Sequence, residues 1–198
     1  MVGLIGFSQL YQFCFVVIFC LSSCQSKGQD FVENLDFIQP KTVVSKNYSI
    51  PESKISELKS YLKGKKYNQN IAVFIDFKIP SNKFRFFIYD LQNDKILEKG
   101  LVAHGSGSVI NPEKSGTELT FSNVENSYQS SLGKFEIANS YVGTFGKSYR
   151  LKGLDKTNSN ALKRAIVMHS LSCVGNAESS QPTCLSLGCP MLSEEFFK

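Results

Sequence analysis

The chain has 198 residues, and its 22 Lys and Arg against 17 Asp and Glu give a formal net charge of +5. Charged residues make up 20% and aromatic residues 12%, which excludes a disordered polar protein and allows a signal segment plus one domain of common size. The positive charge is mild and spread along the chain. It fits an anionic partner or simply a solvated surface, and no nucleic-acid-binding motif accompanies it.

Residues 1–23 are predicted to be an export signal. They contain no charged residue, and residues 13–21 form an apolar run that has the length of a signal-peptide core and is too short to span a bilayer. The sequence Leu-Ser-Ser-Cys that ends at Cys24 resembles a bacterial lipobox and predicts lipidation of that cysteine. Because the usual Lys or Arg near the start is missing, an uncleaved apolar anchor is the alternative. Both interpretations place the rest of the chain outside the cytoplasm.

Residues 24–69 are predicted to be a polar tether that ends in a short helix. Apolar side chains recur at helical spacing between Pro51 and Gly64, at Ile55, Leu58 and Leu62. This helix carries no chemical motif, so we expect it to pack against the main domain or to hold that domain away from a membrane.

From residue 70 the pattern changes to strands. Apolar runs at residues 71–77, 84–90 and 95–103 are separated by turn-forming residues, which predicts a meander of antiparallel hairpins. No long helical pattern interrupts them, so a parallel α/β sheet is disfavoured. Further strands are expected at residues 135–137 and, with tight bends at glycines, between residues 141 and 153.

The strongest chemical signal lies near the C-terminus. Residues 164–168 have the pattern of a buried strand that delivers His169 at its end, and a loop of sixteen residues then leads to Ser186. Such a loop can bring His169 beside Cys189, where the imidazolium stabilises the thiolate that acts as a nucleophile. Gly188 lets the backbone approach a substrate carbonyl, with its N–H and that of Cys189 as oxyanion donors.

Other assignments of the same residues stay open. Cys173 and Cys184 form a disulfide if the protein is exported, or are two buried free thiols. Together with His169 and Cys189 they also supply four zinc-compatible ligands, although no CxxC knuckle is present. His104 is the competing base or a pocket-lining residue. The glycine-rich stretch that it opens lacks a P-loop lysine, which argues against a nucleotide site.

The residues around the two candidate groups resemble the catalytic signature of the L,D-transpeptidases, the YkuD-type domain. The signature consists of His169-Ser170, a sixteen-residue gap and Ser186-X-Gly188-Cys189. Four further blocks look like the murein L,D-transpeptidase branch of this family: His104 to Ser108, Ser131 to Phe135, Gly153 to Asn158 and Leu187 to Pro190. The resemblance covers residues 70–198.

This resemblance implies a mainly β catalytic domain, a β-sandwich or mixed sheet with short helices, that acts on peptidoglycan stem peptides. Cys189 would attack the carbonyl between the third residue, a diamino acid, and the terminal D-alanine, so that D-alanine leaves and a thioester forms. An amine of a neighbouring stem would then give a 3→3 cross-link, and water would give carboxypeptidase activity. His169 would act as base and then acid, oriented by the backbone carbonyl of Ser170 as a carboxylate orients the histidine of a Ser-His-Asp triad.

The same resemblance implies which other residues and partners take part. His104, Gly105 and Ser186 are expected to line the substrate site. Neither a metal nor another cofactor is implied, because the energy of the leaving amide is conserved in the thioester. The expected protein is a monomer anchored through Cys24 to a membrane and facing the periplasm in the envelope of a Gram-negative bacterium.

Three positions depart from the family pattern. Leu187 stands where the family usually has His, and Met191 stands where a polar Arg or Asn is common, which puts carboxylate recognition there in doubt. The sequence also ends nine residues after Cys189, where relatives commonly continue into further strand. A non-catalytic cell-wall-binding lipoprotein with a degenerate site is therefore the alternative function, and a zinc-stabilised domain is a third.

Overall fold

A computed structural model describes residues 48–110 and 118–198 of the chain. The predicted signal segment 1–23, the lipidation site Cys24 and most of the predicted tether lie outside the described residues. Within the described residues, no helix is long and apolar enough to cross a membrane.

In the described part of the chain, one α-helix, α1, precedes seven strands. The elements in chain order are α1 (Glu52–Leu62), β1 (Ile71–Ile75), β2 (Phe86–Asp90), β3 (Lys95–Gly100), β4 (Phe135–Gly143), β5 (Gly146–Gly153), β6 (Val167–Ser170) and β7 (Met191–Leu192), with a short 3₁₀ helix at Ser106–Ser108. Strands β1, β2 and β3 form one antiparallel sheet, and the second sheet has the order β4-β5-β6-β7. The predicted mainly β fold is confirmed.

The helix forms where the apolar spacing predicts it. Ile55 and Leu62 are buried against Tyr89 and Leu91 of the first sheet. Pro51 stands at the N-cap position, where a residue without a backbone N–H removes no intrahelical hydrogen bond. The helix is thus attached to the first sheet by its apolar face, as expected for an element that packs on the main domain.

The two sheets share one hydrophobic core. Phe86 of β2 contacts the same buried cluster as Leu151 of β5, Met168 of β6 and Leu192 of β7. Burying such a side chain stabilises the fold by about 2 kcal/mol. Because strands of both sheets contribute to this cluster, the second sheet is fixed against the first, and with it the chain that bears the candidate groups.

Several strands differ in their bounds from the prediction, and two of these differences shape the site. β3 ends at Gly100, and the buried residues after it leave the first sheet, because the N–H of Ala103 donates to the carbonyl of Met191. The strand predicted to begin at residue 164 begins at Val167, since Ala165 has a φ of 52° in the turn before it. The strand also extends to Ser170, so His169 lies inside β6 rather than at its end.

Candidate active site

The parallel pairing of β6 with β7 brings the two ends of the predicted loop together. His169 lies opposite Met191 in this register. Between them the chain is closed by a disulfide that joins Cys173 to Cys184, with a Cα–Cα distance of 5.9 Å. Because both sulfur atoms are in the disulfide, Cys173 and Cys184 cannot serve as thiolate ligands in the alternative zinc site. No group of three or more His, Cys, Asp or Glu side chains suited to a metal occurs within the described ranges.

Cys189 is half-buried beside the start of β6. Its Sγ accepts a hydrogen bond from the N–H of Val167 at 3.5 Å and lies 3.9 Å from the carbonyl oxygen of Ala165. Burial raises the pKa of the Cys189 thiol, and the N–H of Val167 opposes this rise because it stabilises the thiolate. The thiol thus lies in a pocket that already offers its anion one donor.

His169 is buried, 2% exposed, and its ring orientation is set from two sides. Its Nδ1 lies 3.0 Å from the carbonyl oxygen of Ser170, and its ring stacks on Phe145 with 4.2 Å between centroids. Nδ1 therefore carries the proton and donates to Ser170, which leaves Nε2 free to accept another. Burial lowers the pKa of His169, and the bond to Ser170 partly offsets that.

The two candidate groups are neighbours but are not hydrogen-bonded to each other. No hydrogen bond between described residues joins the Sγ of Cys189 to the imidazole of His169. Cys189 precedes Met191, the partner of His169, by two residues, and its Sγ lies against Val167 at the start of β6. Proton transfer between them requires the thiol to turn away from Ala165.

The backbone N–H groups of Gly188 and Cys189 differ in their hydrogen bonding. Gly188, with a φ of 115°, donates its N–H to the Oγ of Ser186 at 3.0 Å. The N–H of Cys189 has no acceptor within the part of the chain that the structure describes. The predicted oxyanion role is therefore directly open to the Cys189 amide, whereas the Gly188 amide first has to release the hydroxyl of Ser186.

Ser186 and Gly105 are joined to each other by backbone pairing. The N–H of Ser186 donates to the carbonyl of His104 at 2.9 Å, and the N–H of Ser106 donates to the carbonyl of Ser186 at 2.7 Å. A Cβ on Gly105 would lie 2.1 Å from the carbonyl oxygen of Tyr128, so only glycine fits. These contacts give Ser186 and Gly105 a structural role in the backbone pairing of the two segments. Their contact with substrate stays a prediction.

His104 lies below the surface, 2% exposed. Its Nδ1 lies 2.8 Å from Nη2 of Arg85, a buried guanidinium that also donates to the carbonyls of Val102 and Ile79. Since Arg85 donates, Nδ1 is an acceptor and the ring is neutral, and burial with the nearby guanidinium lowers the pKa of His104 to about 4. A buried imidazole of such low basicity, whose Nδ1 already accepts a hydrogen bond from Arg85, is unsuited to being the competing base, and its contact with substrate stays a prediction.

A cleft adjoins the backbone on both sides of Cys189. It has a volume of about 700 Å³ and is lined by residues of α1, β1 and β4, by Ser130 and Ser131, and by Gly188 and Pro190. The thiol itself is not part of this lining. Two side chains at the site were not predictable from their local sequence pattern: Phe145, which stacks on His169, and Arg164, which lies against Gly188.

Residues 43–198 match the model of one protein family, described as the L,D-transpeptidase catalytic domain. No curated protein and no solved structure matches the chain. The matched residues include every element of both sheets and all residues of the candidate site.

Proposed function

Because the chain belongs to the L,D-transpeptidase catalytic domain family, whose members act on peptidoglycan, we propose that Cys189 forms a thioester with a stem peptide and passes the acyl group to an amine or to water. The acyl donor is a stem tetrapeptide that loses its terminal D-alanine. The product with a neighbouring stem is a 3→3 cross-link, and the product with water is the shortened stem.

The proposed reaction balances with one base and one nucleophile. Nε2 of His169 takes the proton of the Cys189 thiol, and the thiolate attacks the carbonyl carbon of the stem. The carbon–nitrogen bond to D-alanine then breaks, and His169 returns the proton to the leaving amine. In the second half, His169 takes a proton from the incoming amine, which attacks the thioester carbonyl and releases the Cys189 thiol.

The observation that best supports this proposal is the setting of His169. Its Nδ1 is held by the carbonyl oxygen of Ser170, so the ring presents Nε2 as the free basic atom, one strand away from the loop that bears Cys189. A carbonyl acceptor at Nδ1 also stabilises the imidazolium formed when Nε2 takes a proton. The N–H of Cys189 supplies an oxyanion donor for the tetrahedral intermediate.

The test is the mass of the intact protein after incubation with a carbapenem, which L,D-transpeptidases as a family accept as an acyl-donor mimic. We expect one adduct on the wild type, none on Cys189→Ala and a slower one on His169→Ala. The comparison with Cys189→Ala is needed because Cys14, Cys20 and Cys24 also occur in the chain. An adduct that persists in Cys189→Ala, or none on folded wild type, would refute the proposal.

The alternative, a non-catalytic cell-wall-binding protein, draws on one structural observation. The Sγ of Cys189 contacts Ala165 and Val167 instead of His169, and burial raises its pKa. This protein would sediment with purified peptidoglycan and leave the carbapenem unbound. Sedimentation without acylation favours the alternative, whereas acylation favours the transpeptidase.

We also propose that Cys24 carries a lipid that anchors the protein to a membrane on the periplasmic side. The support is the uncharged apolar segment that precedes this cysteine. Metabolic labelling with a radioactive fatty acid is expected to label the wild type and not Cys24→Ala. Equal labelling of both proteins would show that the lipid is attached to another residue. No labelling of either protein would favour the alternative, an uncleaved apolar anchor.

A further inference from the structure

Arg164 has a positive charge that no carboxylate neutralises in the described part of the chain. Its guanidinium donates to the carbonyls of Ser122 and Gln129 and to the hydroxyls of Ser127 and Ser131. All four acceptors are uncharged, and Arg164 takes part in none of the ion pairs between described residues. A partly buried cation without an anion is unfavourable, because it loses water without gaining a counter-charge.

The guanidinium lies against the loop that bears the thiol. A Cβ built on Gly188 would lie 3.3 Å from Nη2 of Arg164. The next residue, Ala165, is in the left-handed region with a φ of 52°, and its carbonyl oxygen lies 3.9 Å from the Sγ of Cys189. The turn before β6 thus places the carbonyl of Ala165 beside the thiol and the side chain of Arg164 beside the glycine that precedes Cys189.

We propose that Arg164 is a positioning residue whose guanidinium is the counter-charge of the Cys189 thiolate. Its four acceptors hold the planar group in place, so the charge cannot swing out to solvent when the thiol is protonated. This inference rests on the proposed function only in taking Cys189 as the reactive group. In the described residues, Arg164 is the one charged side chain that acts on Cys189, where it opposes the rise in pKa caused by burial.

The proposal predicts the effect of removing the charge. In Arg164→Gln the thiol keeps its burial and the N–H of Val167 but loses its cation, so its pKa rises. We expect alkylation of Cys189 by iodoacetamide at neutral pH to be about tenfold slower, which corresponds to a shift of one pH unit in the rate profile. In Arg164→Lys the charge remains, and we expect the profile to stay within about twofold of the wild type.

The measurement is the rate of alkylation across neutral and alkaline pH, with the modified peptide identified by mass so that only Cys189 is counted. Arg150→Gln is the matched control, because Arg150 is an exposed arginine of β5 whose guanidinium stacks on Tyr141 at 4.5 Å. We expect its profile to overlap the wild type. A slow profile for Arg164→Gln with a normal one for Arg164→Lys supports the proposal.

Two results would overturn it: a profile of folded Arg164→Gln that overlaps the wild type, or a folded Arg164→Lys that is as slow as the glutamine variant. If Arg164→Gln does not fold, Arg164→Lys decides alone, a near-normal profile supporting the counter-charge and a tenfold slower one refuting it. Alkylation needs neither donor nor acceptor stem, so a protein that fails to react with a carbapenem still tests the role of Arg164.

Discussion

Removal of the disulfide between Cys173 and Cys184 is expected to destabilise the domain by about 3 kcal/mol. The two cysteines are 11 residues apart in the sequence. Closing a loop of that length in the unfolded chain removes entropy that corresponds to about 3 kcal/mol at 25 °C. The bond restricts the unfolded state, so its loss lowers the free energy of unfolding even where the native contacts are kept.

The native contacts of this loop explain why the loss is also expected to reach the candidate site. Cys184 packs with Val174 against Leu101, Ala103 and Met191, which is two residues after Cys189. Without the crosslink, the stretch between these contacts gains freedom in the native state as well. We therefore expect slower acylation of Cys189 in addition to lower stability.

The assay compares urea unfolding of the wild type with that of Cys173→Ala/Cys184→Ala, which keeps the other cysteines. Alanine avoids new polar groups beside Val174 and Met191. A second sample, wild type reduced with a thiol reagent, tests the crosslink without changing any side chain but the two thiols. Both are expected to lose about 3 kcal/mol, with a steeper dependence on urea because the unfolded chain is less compact.

A loss below about 0.5 kcal/mol in both samples would refute the chain-entropy reasoning, since surface substitutions alone reach that size. A large loss in the alanine variant with none in the reduced wild type would attribute the effect to packing of Cys184 instead of the crosslink. Counting free thiols in the unfolded wild type first establishes that the bond is present.

The remaining predictions concern the wall of the site and its buried histidine. Gly105→Ala is expected to destabilise the protein by about 2 kcal/mol or more, because its Cβ would overlap the carbonyl of Tyr128. The control is Gly175→Ala, whose Cβ would have no atom closer than 3.8 Å and which should change stability by less than about 0.5 kcal/mol. Equal urea midpoints for the two variants would contradict this prediction. The folded-state pKa of His104 is about 4, below its ordinary value of 6.5. The free energy of unfolding is therefore highest above pH 6.5, where the imidazole is neutral in both states, and falls by about 3 kcal/mol as the pH drops from 6.5 to 4. Urea unfolding between these pH values should show a shallower loss in His104→Gln, and equal slopes would show that His104 is not the titrating group beside Arg85.

Local patterns were enough to predict much of this fold. The helical spacing of Ile55 and Leu62 predicted α1, and the hairpin pattern predicted the antiparallel sheet that begins at β1. Such predictions succeed because a helix or hairpin buries residues that are close in the sequence, so their period is visible in it. The spacing of His169 and Cys189 likewise predicted that one loop joins them, and the pairing of β6 with β7 places His169 opposite Met191, two residues after Cys189.

The surroundings of these two residues were not predictable in this way. Phe145 stacks on His169 from the tip of another hairpin, and Arg164 reaches carbonyls and hydroxyls between Ser122 and Ser131. The buried contact between His104 and Arg85 was not predicted either. Each of these contacts joins residues that no local period relates, so only the packing of the chain determines them.

The sequence by itself predicted the type of chemistry at this site, because a histidine and a glycine-preceded cysteine at this spacing resemble the signature of one family. Only the tertiary structure decided the surroundings of these groups: a thiol turned toward Ala165, an imidazole held by Ser170, and a guanidinium against Gly188, the residue before the thiol. The physical reason is that the pKa and orientation of a group depend on burial and on charges brought close by folding, and neither is a property of residue identity alone.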